Sequence, residues 1–198
     1  RSKVEFLQVV EFITEHAFLD RYPIKKGDTT LILGTLHPAK VENFELPFFY
    51  GNRNSLWKLF SKAFPEELQN PTDLSQVLNF LKRNGIAVSD VIRKGLRSKT
   101  RSGDADLKVL EYNTELTTGI LQSQIKTVVC TGGNHPKGAF GIFTRKLLGR
   151  TYTVSNRHLI EGVKMSLDDR LLTVHAIPSP SGAANRGIAV SERFKSIK

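Results

Sequence analysis

The sequence has very little sulfur: one cysteine and one methionine in 198 residues. With Cys130 alone, no disulfide forms within the chain and a cysteine-bound iron–sulfur cluster is excluded. Cys130 lies in the apolar run Thr127-Val128-Val129-Cys130 and reads as a small buried hydrophobe. No run approaches the roughly 18 apolar residues of a membrane span. The amino terminus, Arg1-Ser2-Lys3-Val4-Glu5, alternates charge too early for a signal peptide, so an intracellular, cytoplasmic protein is expected. Glycine around Gly34-Thr35 is too sparse for a P-loop or dinucleotide fingerprint, and no residue cluster points to a metal; no cofactor is expected. Internal repeats and low-complexity tracts are absent too.

Acidic residues are the minority, 19 against 29 lysines and arginines, for a net charge of +10 and a pI near 9.8. That balance favours a polyanionic partner. The basic residues concentrate at Arg93-Lys94-Gly95-Leu96-Arg97-Ser98-Lys99-Thr100-Arg101, whose Gly and Ser suggest a loop, and Arg97, Lys99 and Arg101 become candidate phosphate contacts. At 39% hydrophobic residues, the length suits one well-buried core, hence a single domain over 1–198 and a monomer.

Periodicity predicts an amphipathic helix over 4–19 (Phe6, Val9, Val10, Ile13, Ala17) and then a buried strand, Thr29 to Gly34. The strand leaves through Gly34-Thr35-Leu36-His37-Pro38, a position where open α/β sheets bind ligands. Helices follow through Leu56 to Phe64 and from Pro71-Thr72-Asp73 to Asn84-Gly85, then a strand to Ile92 that carries Asp90 near its end. Asp106–Tyr112 is a short strand or helix, and Asn113 can cap a helix through Leu116 and Ile120. Ile125–Cys130 is a strand, 138–148 a helix, 151–154 a peripheral strand and Arg170–Ile177 a further core strand. Alternating strands and helices imply an α/β fold with a mostly parallel sheet between two helical layers.

Residues 47–57, Pro47-Phe48-Phe49-Tyr50-Gly51-Asn52-Arg53-Asn54-Ser55-Leu56-Trp57, set three aromatic rings beside carboxamides at a helix entrance. Flat apolar faces and neutral donor–acceptor groups suit a nucleobase, although an aromatic run before a helix also serves as a core plug or hydrophobic staple. Near the carboxyl end, Pro178-Ser179-Pro180-Ser181-Gly182 forms a stiff loop of small residues able to press against a partner. The turn at Asn134-His135-Pro136 is explained by turn chemistry, and His16, His158 and His175 read as structural.

Three stretches, each at a strand end and in the same order, resemble the uracil-DNA glycosylase superfamily over roughly residues 16 to 198: Leu33-Gly34-Thr35-Leu36 with Pro38, Phe49 through Trp57, and Pro178 through Gly187. The middle stretch is similar to the mismatch-specific and hypoxanthine branches. The resemblance implies a three-layer sandwich with a central four-stranded, mostly parallel sheet. It also implies a base pocket at Gly34 and Leu36, Phe49 beneath a flipped base, Asn54 at the glycosidic bond and Asp90 reading the base edge. His37 is a further catalytic candidate as a donor to base or phosphate. Ser179, Pro180, Ser181 and Gly182 then fill the gap left by the base, while Asn185 and Arg186 hold that loop and a phosphate.

The chain departs from the superfamily in having Leu36 where many members carry Asp or Asn, His37 as an extra residue before Pro38, and Ile177 where several families have histidine. Leu in the first motif is shared with the hypoxanthine branch. The implied activity is that of a monofunctional DNA glycosylase of base excision repair, acting on DNA that holds a deaminated or mismatched base such as hypoxanthine or uracil and leaving an abasic site. No lysine is placed for a Schiff-base lyase step. A non-catalytic DNA-binding protein that keeps the fold, and a small-molecule enzyme acting on nucleotides, are the other readings.

Overall fold

A computed structural model describes residues 11–98 and 106–180. Its main sheet contains β2 (Thr30–Gly34), β3 (Ile86–Asp90), β6 (Thr127–Cys130), β7 (Val163–Leu167) and β8 (Arg170–Ala176), ordered β3-β2-β6-β8-β7. The first four run parallel and β7 pairs antiparallel with β8. The sheet is therefore mixed and five-stranded: the expected parallel strands are β2, β3, β6 and β8, and β7 adds an edge.

Side-chain alternation along these strands builds two cores. Ile32, Val88 and Val129 point to a layer made by α1 (Ser55–Ala63) and α2 (Leu74–Asn84), where they meet Trp57, Phe60, Val77 and Phe80. Leu31, Leu33, Val128 and Cys130 point the other way, to α3 (Glu115–Gln122) and α4 (Ala139–Ile142), meeting Leu116, Ile120 and Phe140. Helix α4 continues as a π-helical segment, Phe143–Leu147, and a short α5 spans Asn156–Glu161. No described helix is long and apolar enough to cross a membrane.

Helix α2 starts and stops as its sequence dictates. The Asp73 carboxylate accepts the Ser75 N–H at 2.9 Å, and Gly85 closes the helix at φ +58°, a left-handed conformation that glycine adopts without strain.

Three local expectations are corrected. Residues 11–15 are not helical: they form β1 (Glu11–Glu15), paired antiparallel with β4 (Ile92–Ser98), which also pairs with β5 (Lys108–Tyr112). Of the apolar residues that suggested a helix face, Phe6, Val9 and Val10 lie outside the described residues, and Ile13 is 61% exposed while Thr14 is buried. The basic run is consequently strand through residue 98 rather than loop, because it is the central strand of this small sheet and bonds to neighbours on both sides. No strand forms at 151–154; the edge of the main sheet is taken by β7.

Candidate functional site

Strands β2 and β3 end side by side, with Gly34 and Asp90 as register partners. A Cβ on Gly34 would stand 2.4 Å from Asp90 Oδ1 and 2.6 Å from the Tyr50 hydroxyl, so both oxygens pack into the space a side chain would take, the Gly34 notch. The Tyr50 hydroxyl is also bonded to Thr131 Oγ1 at 2.9 Å, just past the end of β6. The notch thus sits at the carboxyl ends of three adjacent parallel strands, where such sheets bind ligands.

The aromatic stretch reaches this notch through a tight turn. Gly51 N–H donates to the Phe48 carbonyl at 3.0 Å, and a Cβ on Gly51 would fall 1.7 Å from the Leu46 carbonyl oxygen, so no other residue fits there. Tyr50 is held at φ +59°, a conformation that bulky residues rarely adopt, and Trp57 Nε1 donates to the Phe49 carbonyl at 2.8 Å. The turn aims Tyr50 at Gly34 and sends Phe49 inward.

Asp90 is 6% exposed. Its Oδ2 accepts from His16 Nε2 at 2.8 Å, and its main-chain carbonyl accepts from Asn113 Nδ2 at 2.9 Å. His16 Nδ1 accepts the N–H groups of Phe18 and Leu19 at 3.1 and 3.3 Å, which leaves the ring proton on Nε2, directed at Asp90. Phe49 is 1% exposed, its ring lying against His16, Phe18 and Phe48 at centroid distances of 5.2, 5.6 and 5.2 Å. The face expected under a base is covered by these rings in this state.

His37 is buried with both nitrogens engaged by backbone: Nδ1–H donates to the Pro38 carbonyl at 2.7 Å and Nε2 accepts the Ala17 N–H at 2.9 Å. Burial pulls its pKa below 6.5, against the opposing bond to Pro38. It therefore has no nitrogen turned to a base or phosphate here. Leu36 packs into the core layer of α3 and α4, and its carbonyl accepts from Arg97 NH2 at 2.8 Å. Arg97, 4% exposed, is a buried brace for that loop and not a surface phosphate contact; only its place in β4 reveals this.

Asn54 has no exposed surface and precedes α1 in the left-handed region, φ +50°. Its Nδ2 donates to the Pro71 carbonyl at 2.7 Å, while Oδ1 has no hydrogen-bond partner. Ser179 is half-buried and Pro180 buried; Ser181, Gly182, Asn185, Arg186, Lys99 and Arg101 lie outside the described residues. Asn134 spends both ends structurally, donating to the Tyr152 carbonyl and accepting from Arg145.

The structure thus brings Gly34 and Asp90 together and adds Tyr50, Thr131, His16 and Asn113. Tyr50 was discoverable, since a Tyr-Gly step inside an aromatic run marks a turn that presents a hydroxyl. His16 was not, being 74 residues from its carboxylate partner. Asn113, read as a helix cap, instead ties Asp90 and Ser89.

No protein-family model and no curated protein matches the chain. A solved solution structure from Methanosarcina acetivorans, described provisionally as a uracil DNA glycosylase, superposes with a TM-score of 0.51 at 19% identity, covering 94% of this chain and 96% of that one. At that identity the likeness is one of fold: the chain has the mixed α/β fold of that protein across nearly its whole length.

Proposed function

We propose that the chain is a monofunctional DNA glycosylase that hydrolyses the N-glycosidic bond of a deaminated base, hypoxanthine or uracil, extruded from the duplex. The observation that carries this reading is Asp90 Oδ1, a buried acceptor packed with the Tyr50 hydroxyl against Gly34 at the strand ends. An ionised carboxylate accepts the ring N–H of hypoxanthine or uracil, whereas adenine offers a bare nitrogen at the corresponding position, so the normal base meets an acceptor with an acceptor. Extruding a base costs a few kcal/mol and least for a mispaired one, which adds selectivity. A chain of net charge +10 supplies attraction to the phosphates.

Cleavage leaves the bonding pair on the departing base and positive charge on the sugar, with water attacking C1′ to give an abasic site and the free base. The residue assigned to orient that water is Asn54; its amide is anchored on Pro71 and its Oδ1 is buried in this state, so the role requires the turn before α1 to open towards the sugar. Phe49, the residue expected beneath the base, has no open face for stacking in this state, which counts against the stacking part of the reading.

A second reading, a DNA-binding protein without catalysis, is favoured by Leu36 and His37, which are committed to core packing and backbone bonds where water activation is often found. Duplexes carrying inosine, uracil or xanthine, incubated with the protein and then treated with alkali, separate the two. Scission at the lesion is expected of the glycosylase; bound but uncut strands would establish the binder.

A further inference from the structure

We propose that His16 is a positioning residue that fixes which oxygen of Asp90 is offered to a ligand; this rests on the reading of Asp90 as the base-recognising acceptor. The His16 side chain is fully buried and bonded at both nitrogens: Nε2–H to Asp90 Oδ2 at 2.8 Å, and Nδ1 accepting from the Phe18 and Leu19 amides. It is walled by the rings of His37, Phe49 and Phe18 at 4.6, 5.2 and 6.0 Å. Its own main chain is pinned as well, His16 N–H donating to the Arg93 carbonyl at 2.9 Å.

Two other roles fail on this geometry. A proton shuttle needs its second nitrogen turned to solvent or substrate, but here two backbone N–H donors occupy Nδ1. A swinging plug over Phe49 needs a loosely held ring, and this one is locked at every polar atom. What remains is a fixed neutral donor that consumes Oδ2 and sets the carboxylate plane. Oδ1 is thereby left towards the Gly34 notch and the Tyr50 hydroxyl. Asp90 acts as a one-oxygen acceptor of defined direction, which is what separates a base edge with N–H from one without.

The experiment compares His16→Leu, which removes both polar ends, with His16→Gln, which keeps a donor near the Nε2 position. Excision of inosine by His16→Leu is expected to drop about tenfold or more in kcat, the size of losing a hydrogen bond to a charged group. KM should barely change, and the preference for hypoxanthine over adenine should fall with kcat. His16→Gln is expected to recover most of both. Wild-type preference in His16→Leu overturns the proposal, and faster excision would make His16 a plug.

If no excision occurs at all, the glycosylase reading fails on its own, and the same comparison is read from binding of inosine-containing against adenine-containing duplexes. A collapsed binding preference in His16→Leu supports the positioning role, and an unchanged one overturns it. Nitrogen-15 spectra of the wild-type chain test the tautomer without any catalysis: a proton on Nε2 of His16 is expected, and a proton on Nδ1 instead would overturn the proposal even if the chain cuts DNA.

Discussion

Asp90 and Asn54 are both buried carbonyl-bearing side chains, yet they are held in opposite ways. Asp90 is bonded on the side chain by His16 and on its main chain by Asn113, at the end of an edge strand paired along its length with β2. Asn54 hangs from one bond to Pro71 in a left-handed turn and leaves Oδ1 without a partner. A buried acceptor without a protein donor costs stability, so the two side chains are held at different cost. A tightly braced acceptor suits reading a fixed edge, while a spare one suits orienting a water that must itself move.

The largest break in this contrast is Asn54→Ala. Excision is expected to fall on the order of a hundredfold or more, as for loss of an oriented polar group at a developing charge, with duplex affinity little changed. The same variant strains alanine at φ +50° and takes the donor from the Pro71 carbonyl but also removes the unpaired Oδ1, so its stability should change by no more than about 1 kcal/mol. Single-turnover kinetics alongside a urea melt would check both, and unaltered turnover would remove Asn54 from the mechanism.

Gly34→Ala attacks the other side. Its Cβ meets oxygens at 2.4 and 2.6 Å, so Asp90 and Tyr50 must both shift. We expect a destabilisation of about 1–3 kcal/mol and a loss of excision of at least about tenfold. A variant that melts and cuts like the parent would show that the notch is not used.

Tyr50→Phe is gentler. Removing the hydroxyl bonded to Thr131 should cost roughly 0.5–1.5 kcal/mol and change excision only a few-fold, since the Asp90–His16 pair stays intact.

The smallest effect concerns pH. Burial holds the pKa of His37 below 6.5, so the unfolded chain binds this proton more readily than the folded one. Its contribution to stability is full above 6.5 and is lost as pH falls towards the lowered folded value. Melting temperature against pH should therefore slope more steeply below 6.5 in the parent than in His37→Asn, and parallel slopes would contradict the assignment.

The main sheet was legible because Thr30–Gly34 and Thr127–Cys130 are short unbroken apolar runs, and α2 because Asp73 and Gly85 mark its ends. The three-stranded sheet was not. In Glu11–Glu15 the spacing of apolar residues pointed to a helix, but the ladder to β4 decides the conformation, and that partner lies some eighty residues on. Gly34 and Asp90 could be placed at strand ends from sequence, yet their meeting depends on register. The burial of Phe49 and Arg97 depends on what folds over them, Phe18 and His16 in one case and the loop at Leu36 in the other.

Asp90→Asn tests the central idea most directly, measured as the ratio of hypoxanthine to adenine excision from matched duplexes. His16 Nε2–H would bond the asparagine oxygen and leave the amide donor at the Gly34 notch, so the account predicts a loss of hypoxanthine excision of roughly tenfold to a hundredfold and a ratio falling towards one. An unchanged ratio in a folded Asp90→Asn protein would show that this carboxylate does not read the base.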